Sequence, residues 1–379
     1  MGARRWAFGL VPLLLFFTSL SGPGAAVARG AEGCDPRWTI VPAPVTQRMG
    51  SVLFGVGAVD ANDVWAVGSY TGSGDGGDPL AMHWDGARWT EASTPALDGW
   101  VALQGVAALA SDDVWAVGNQ NQLTGMALIE HWDGAEWIAE TPQEGFLTSV
   151  DSASSDDVWA VGQQSVDGVN QTLALHWDGH LWKAVDTPSI TRASNQLNDV
   201  TVISSTDAWA VGQAVDVEHS RAKALALHWD GTSWSRVSVP GAGAYPVLTG
   251  VTAISSSDVW AVGFSQGRGP LAYHWDGVAW TRVRAPGSAV HAPEAVAAVA
   301  SDDVWMVGWY WSESHTSDTG FAEHWDGNAW SSQNLPHDGG SMSNYVYDAA
   351  AISSTDMWAV GGTYGSGDRP VVEHYVCTG

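Results

Sequence analysis

The residues of this chain that could do chemistry divide into a recurring set and a small remainder. Seven histidines recur, His83, His131, His176, His228, His274, His324 and His374, each followed by Trp except the last, which precedes Tyr375. Each is preceded by an aspartate that opens a D-x-W triplet: Asp63, Asp113, Asp157, Asp207, Asp258, Asp303 and Asp356. Imidazole beside carboxylate is a pairing suited to proton relay and metal ligation. Seven equivalent histidines, one per copy of a repeat, cannot converge on one ion. The expected role is therefore a hydrogen bond, His274 to Asp258 for instance, that fixes a turn. Neither a metal nor a cofactor is expected.

The remainder is aromatic. Of 24 tryptophans, seven sit in D-x-W, six in H-W and seven in a later segment that begins with Trp38, which assigns twenty to packing register. Trp6 lies in a leader, leaving Trp100, Trp309 and Trp311 outside the pattern. Trp309-Tyr310-Trp311 is followed by Glu313, His315 and Asp318, while Tyr70 and Tyr364 lie in comparable stretches of two other copies. Aromatic faces flanked by carboxylates suit sugar rings, whose C–H surfaces stack and whose hydroxyls need acceptors. The candidate binding group is Trp100, Trp309, Tyr310, Trp311, Glu313, His315, Tyr70 and Tyr364; the competing reading is local packing.

The repeat dictates what positions these residues. D-V-W-A-V-G, a variable stretch, then H-W-D-G-x-x-W recurs with a period of roughly 45 to 50 residues, the range of four-stranded propeller blades. In the fifth copy Leu248–Ile254, Asp258–Gly263, Leu271–Trp275 and Trp280–Val283 read as four strands, with Asp276-Gly277 a tight hairpin. The seventh copy stops at His374-Tyr375-Val376-Cys377, and its missing Trp segment stands at the other terminus as Trp38-Thr39-Ile40-Val41. The expected fold is all-β: a seven-bladed β-propeller, four antiparallel strands per blade, closed by the N-terminal strand completing the last blade. Connections alternate between two faces, and only the loops after V-G and between blades vary, so a site belongs on that second face.

Asp151, Asp199 and Asp348 share strand parity on the inner strands, with Glu294 near the channel mouth, and read as lining a polar, water-filled channel. Gly72–Asp78 and Gly365–Asp368 lack the ligand ladder of a calcium loop and read as flexible. Acid–base candidates, Glu218 and His219, His291 and His337, form no recognised motif, and Arg221, Arg268 and Arg369 give no sign of converging on an anionic substrate.

Composition adds the setting. Arg4-Arg5, the apolar run from Trp6 to Leu20 and Ala26-Val27-Ala28 read as a signal peptide over residues 1–28, leaving 29–379 as one propeller domain, secreted and monomeric. The two cysteines, Cys34 and Cys377, flank the split repeat and are expected to form a disulfide in an oxidising compartment. A net charge of −26 disfavours nucleic acid and anionic membrane as partners.

Between Cys34 and Cys377 the D-V-W-A-V-G and H-W-D-G-x-x-W phrases resemble those of secreted bacterial seven-bladed propeller repeat proteins, loosely related to Kelch and Asp-box propellers. The chain lacks the Kelch double glycine and the Asp-box Ser and spacing. The resemblance implies the fold and little about function, since propellers host lectins, lyases, hydrolases and scaffolds. The expected function is non-catalytic binding of a glycan or a cell-surface protein. The alternatives are a polysaccharide lyase or glycoside hydrolase at the channel mouth, and a protein-docking scaffold.

Overall fold

Each blade is built from the period-two alternation that the repeat carries. In blade five the strands are Pro246–Ser255, Asp258–Ser265, Gly269–Trp275 and Trp280–Val283, paired in that order and antiparallel. The computed structural model describes residues 36–44, 50–71, 77–121, 125–216, 218–219, 221–288, 290–311, 318–336, 343–364 and 369–377, all within the unit Asp35–Gly379. Among them are seven such four-stranded sheets, one per blade, arranged as a ring. The signal-peptide reading, Cys34, Glu313, His315 and most of both Gly-Asp loops fall outside the described residues.

The split blade closes as expected. Arg37–Ile40 is the outermost strand of the last blade, with Trp38 opposite Tyr375 and Ile40 opposite Glu373. Val41 N–H adds a bond to the Val372 carbonyl at 2.9 Å. The last inner strand, Ser343–Ser353, packs against Ser51–Asp60 of blade one, which completes the ring.

Packing between blades is carried by the twenty recurrent indoles. Trp65 of blade one is buried between His83 of its own blade, stacked at 4.5 Å, and Trp132 and Trp137 of blade two, at 5.2 and 5.3 Å. The same three-ring wedge recurs round the ring and survives at the seam, where Trp305 meets Trp38 at 5.8 Å and Tyr375 at 4.7 Å. Wide flat rings in edge-to-face contact suit a wedge-shaped gap.

The recurring histidines behave as the residue types predict. All seven share a hydrogen bond with the aspartate opening the preceding D-x-W, from 2.7 Å at His176–Asp157 to 2.9 Å at His274–Asp258. Each imidazole lies over the D-x-W indole and braces the turn beneath it. At the hairpin, Asp276 Oδ1 accepts from the Val278 and Ala279 amides, both at 2.9 Å, and Gly277 takes a φ of 89° that a side chain disfavours. Those two amide bonds hold the Asp276 carboxyl below its ordinary range.

One regular feature lies outside what alternation foretells. Every inner strand carries a bulge near its start, between Leu53 and Gly55 in blade one and between Val346 and Asp348 in blade seven. The bulge crowds the facing strand: a Cβ at Gly263 would stand 2.0 Å from the Val247 carbonyl oxygen. The glycine of D-V-W-A-V-G is therefore the counterpart of the bulge.

Candidate functional site

A bulge leaves one residue out of the ladder and re-aims its side chain. Here those residues are Phe54, Gln104, Thr148, Asn198, Thr249, Glu294 and Tyr347. They ring the mouth of the central channel on the variable face, around a cavity of about 360 Å³ that Gln213, Val247 and Phe264 also line. Beneath it lies a narrower polar throat of about 250 Å³, reaching Asp151, Asp199, Asp348, Thr201 and Thr252.

The throat aspartates are bound to the backbone. Asp348 accepts from its neighbour Ala349 and, across the seam, from the Val56 amide of blade one, both at 2.8 Å. Asp151 bonds Ser152 and, in blade four, Val202; Asp199 bonds Ser149, Val200 and, in blade five, Val251. Each carboxyl staples one inner strand to the next, and burial pushes Asp151 up to about 6 and Asp199 and Asp348 to about 7. Among the described residues no group of three or more His, Cys, Asp or Glu could hold a metal ion.

Glu294 differs. Its Oε1 accepts from Trp309 Nε1 at 2.9 Å, and no bond to its second oxygen forms among the described residues. Burial pushes this carboxyl up to about 7, with the Trp309 bond opposing. Glu294 lines both the mouth and the throat.

From Trp309 a ribbon of aromatic rings crosses blades six, seven and one. Trp311 meets Trp309 at 4.4 Å, Trp309 meets Tyr345 at 4.8 Å, Tyr345 lies parallel to Tyr347 at 6.0 Å, and Tyr347 meets Phe54 at 5.5 Å. Tyr364, 37 % exposed, flanks the ribbon 5.0 Å from Tyr345, and its hydroxyl lies 3.2 Å from that of Tyr347. Tyr345 donates its hydroxyl to Asp318. Burial, and then this neighbouring carboxylate, push the Tyr345 phenol up to about 12.

The sequence-derived binding residues separate into three groups. Trp309, Trp311 and Tyr364 belong to this ribbon. Trp309 is not in a loop, however: the second strand of blade six runs Asp303–Tyr310, and Trp309 is half-buried opposite Ala292 and Gly320. Tyr310 points the other way, as alternate strand residues must. It stacks on His291 at 5.0 Å and packs into the interface of blades five and six. Tyr70, 1 % exposed, is core between blades seven and one and offers no surface to a ligand. Trp100 covers Gly77, where a Cβ would come within 2.7 Å of the indole nitrogen, and no ring contact joins it to the ribbon among the described residues. Phe54, Tyr345 and Tyr347 were not anticipated.

No protein-family model and no curated protein matches the chain. Several solved structures resemble it in fold. A structure of YCF48 bound to D1 peptide is 14% identical over 90% of this chain and 97% of its own, with a TM-score of 0.57. YCF48 from Cyanidioschyzon merolae is 14% identical over 90% and 98%, with a TM-score of 0.54. A protein of unknown function from Dyadobacter fermentans is 11% identical over 92% and 100%, with a TM-score of 0.53. What these likenesses share with the chain is the propeller fold.

Proposed function

We propose that this chain is a secreted, monomeric, non-catalytic binding propeller that recognises a glycan at the channel mouth of its variable face. The observation that carries this reading is the aromatic ribbon from Trp311 to Phe54, which ends at a polar cup. The scaffold elsewhere repeats closely, whereas these rings depart from the repeat and gather where three blades meet. Stacking on sugar rings gives affinity, and the cup's amides, hydroxyls and Glu294 give orientation. The leader-like N-terminus and the cysteine pair support export and a disulfide between Cys34 and Cys377.

A glycan array probed with the parent and with a Trp311→Ala/Tyr347→Ala double variant tests this. Stacked contacts contribute about 1 kcal/mol each beyond burial, so the double variant should lose about tenfold or more in affinity. Equal binding by parent and variant, or capture of a protein partner in place of any glycan, would sink the reading. The second reading, a glycoside hydrolase, is favoured by Glu294, whose raised pKa suits a general acid. Release of reducing ends by the parent but not by Glu294→Gln would establish it.

A further inference from the structure

The mouth and throat carry one sign of charge. Glu294, Asp151, Asp199 and Asp348 line them, and among the described residues no Lys, Arg or His does so. Even partly ionised near neutral pH, such a set in a low-dielectric funnel gives a negative potential that repels anions and concentrates cations, and a bound cation favours the ionised carboxylate. The three aspartates already accept backbone amides on both oxygens, and Asp199 the Ser149 hydroxyl as well, so they are committed to the scaffold. Glu294 keeps one oxygen for a ligand, in a cup whose walls include Phe54, Tyr347 and Phe264. Ring faces add to the attraction for a cation.

Size limits what enters. A cavity of about 360 Å³ is at the small end of ligand sites, which run from about 300 to 1,000 Å³. It holds the end of a chain, while the ribbon outside supports the units that follow. Thr148, Asn198 and Thr249 each bond a carbonyl of the next blade, at 2.9, 2.7 and 2.8 Å, which fixes the cup's shape. Gln104, Gln213 and the Asn198 side-chain oxygen remain to meet hydroxyls.

We infer that the cup is an end-binding site for an amino sugar, with the ligand's ammonium on Glu294, its ring against Tyr347 and Phe54, and the next units along the Trp309–Trp311 ribbon. This rests on the reading that the variable face binds a glycan, and it specifies which: chains ending in a hexosamine with a free amine, as opposed to uronates, sialylated ends or fully acetylated chains.

The test is calorimetric titration of the full secreted chain, at neutral pH, with three oligosaccharides of equal length: β-linked glucosamine, its N-acetylated counterpart, and galacturonate. Parent protein should bind the glucosamine chain about tenfold or more tighter than the acetylated one, as a charge-assisted bond requires, and should not bind galacturonate. Glu294→Gln retains an acceptor for Trp309, so the fold is kept; it should erase the preference, bringing the affinities for the glucosamine and acetylated chains together. Tyr347→Ala should weaken both. A preference that survives Glu294→Gln, or galacturonate binding, overturns the inference. Acetylated-chain binding that depends on Trp311 with no preference for the amine sinks the inference and leaves the ribbon standing. Absence of binding to all three sinks both. A peptide amine that competes as well as glucosamine would overturn the sugar assignment.

Discussion

Glu130 and Glu373 should make this propeller less stable as pH rises, and replacing them should remove that effect. Both precede a recurring histidine, at a position where blades one, three and four carry Met82, Leu175 and Leu227. Both are fully buried between blades, and neither carboxyl oxygen has a hydrogen-bond partner among the described residues. Burial pushes each from 4.5 to about 8. Below the unfolded value both states hold the proton and pH has no effect. From there to the folded value only the unfolded chain gives it up, so stability falls by about 1.4 kcal/mol per pH unit for each carboxyl. At pH 7 that amounts to about 3 kcal/mol each, and above the folded value the slope flattens. Glu130→Leu and Glu373→Leu should therefore each gain about 3 kcal/mol more at pH 7 than in acid, where only relief of the unpartnered neutral carboxyl remains. Blade one separates the two sites, so the gains should add. Urea unfolding followed by tryptophan fluorescence across the acid-to-neutral range, on parent, single and double variants, measures this. An unchanged pH slope in the double variant, or a loss of stability at pH 7, would refute the picture of neutral carboxyls without partners.

Three further outcomes are expected. His274→Ala should cost about 1 to 3 kcal/mol, because Asp258 Oδ1 loses its imidazole partner and only the Ser301 hydroxyl on the other oxygen remains, while affinity per folded molecule stays constant; weaker binding by fully folded protein would contradict a bracing role. Gly263→Ala places a Cβ against the Val247 carbonyl and should cost several times more than Gly267→Ala, where no atom stands within 4 Å and the cost is that of the φ of 73° alone; equal melting temperatures would show that the bulge yields. Alkylation mass spectrometry on unreduced protein should find no free thiol at Cys34 or Cys377, and reduction should lower the melting temperature with the ring still folded; a free thiol would end the disulfide proposal.

The fold was legible because its determinants repeat. The D-G hairpin, the V-G step and the split last copy each report one local geometry, and seven statements of it leave little freedom. The His–Asp bonds were legible for the same reason. The site was only half visible. Trp309 and Trp311 stood out as exceptions to a count, yet Trp309 looked like a loop residue because the strand outlasts the V-G phrase. Phe54 and Tyr347 look like ordinary strand residues in Leu53-Phe54-Gly55-Val56 and Val346-Tyr347-Asp348-Ala349. Only pairing against the second strand reveals that each is the unpaired residue of a bulge. The glycine of D-V-W-A-V-G was the available signal, since its missing side chain marks where the facing strand swells. The bonds of Asp151, Asp199 and Asp348 could not be foreseen, because their partners are backbone amides, which every residue but proline carries alike.

The outermost strand of the last blade also sets the order of events in folding. Thr39 donates its hydroxyl to the His374 carbonyl, 335 residues away. Arg37–Ile40 therefore emerges first and must wait for nearly the whole chain before its partner strand exists. The loop closed by this pairing is about as long as the domain, the arrangement for which contact-order reasoning expects slow final assembly. Six blades can form in sequence from local hairpins, but the seventh registers only when the C-terminus arrives. Without Arg369–Val376 the strand Arg37–Ile40 has no partner and the edge of Asp356–Tyr364 is bare, so Trp38 and Trp305 lose their cover until that last pairing is made.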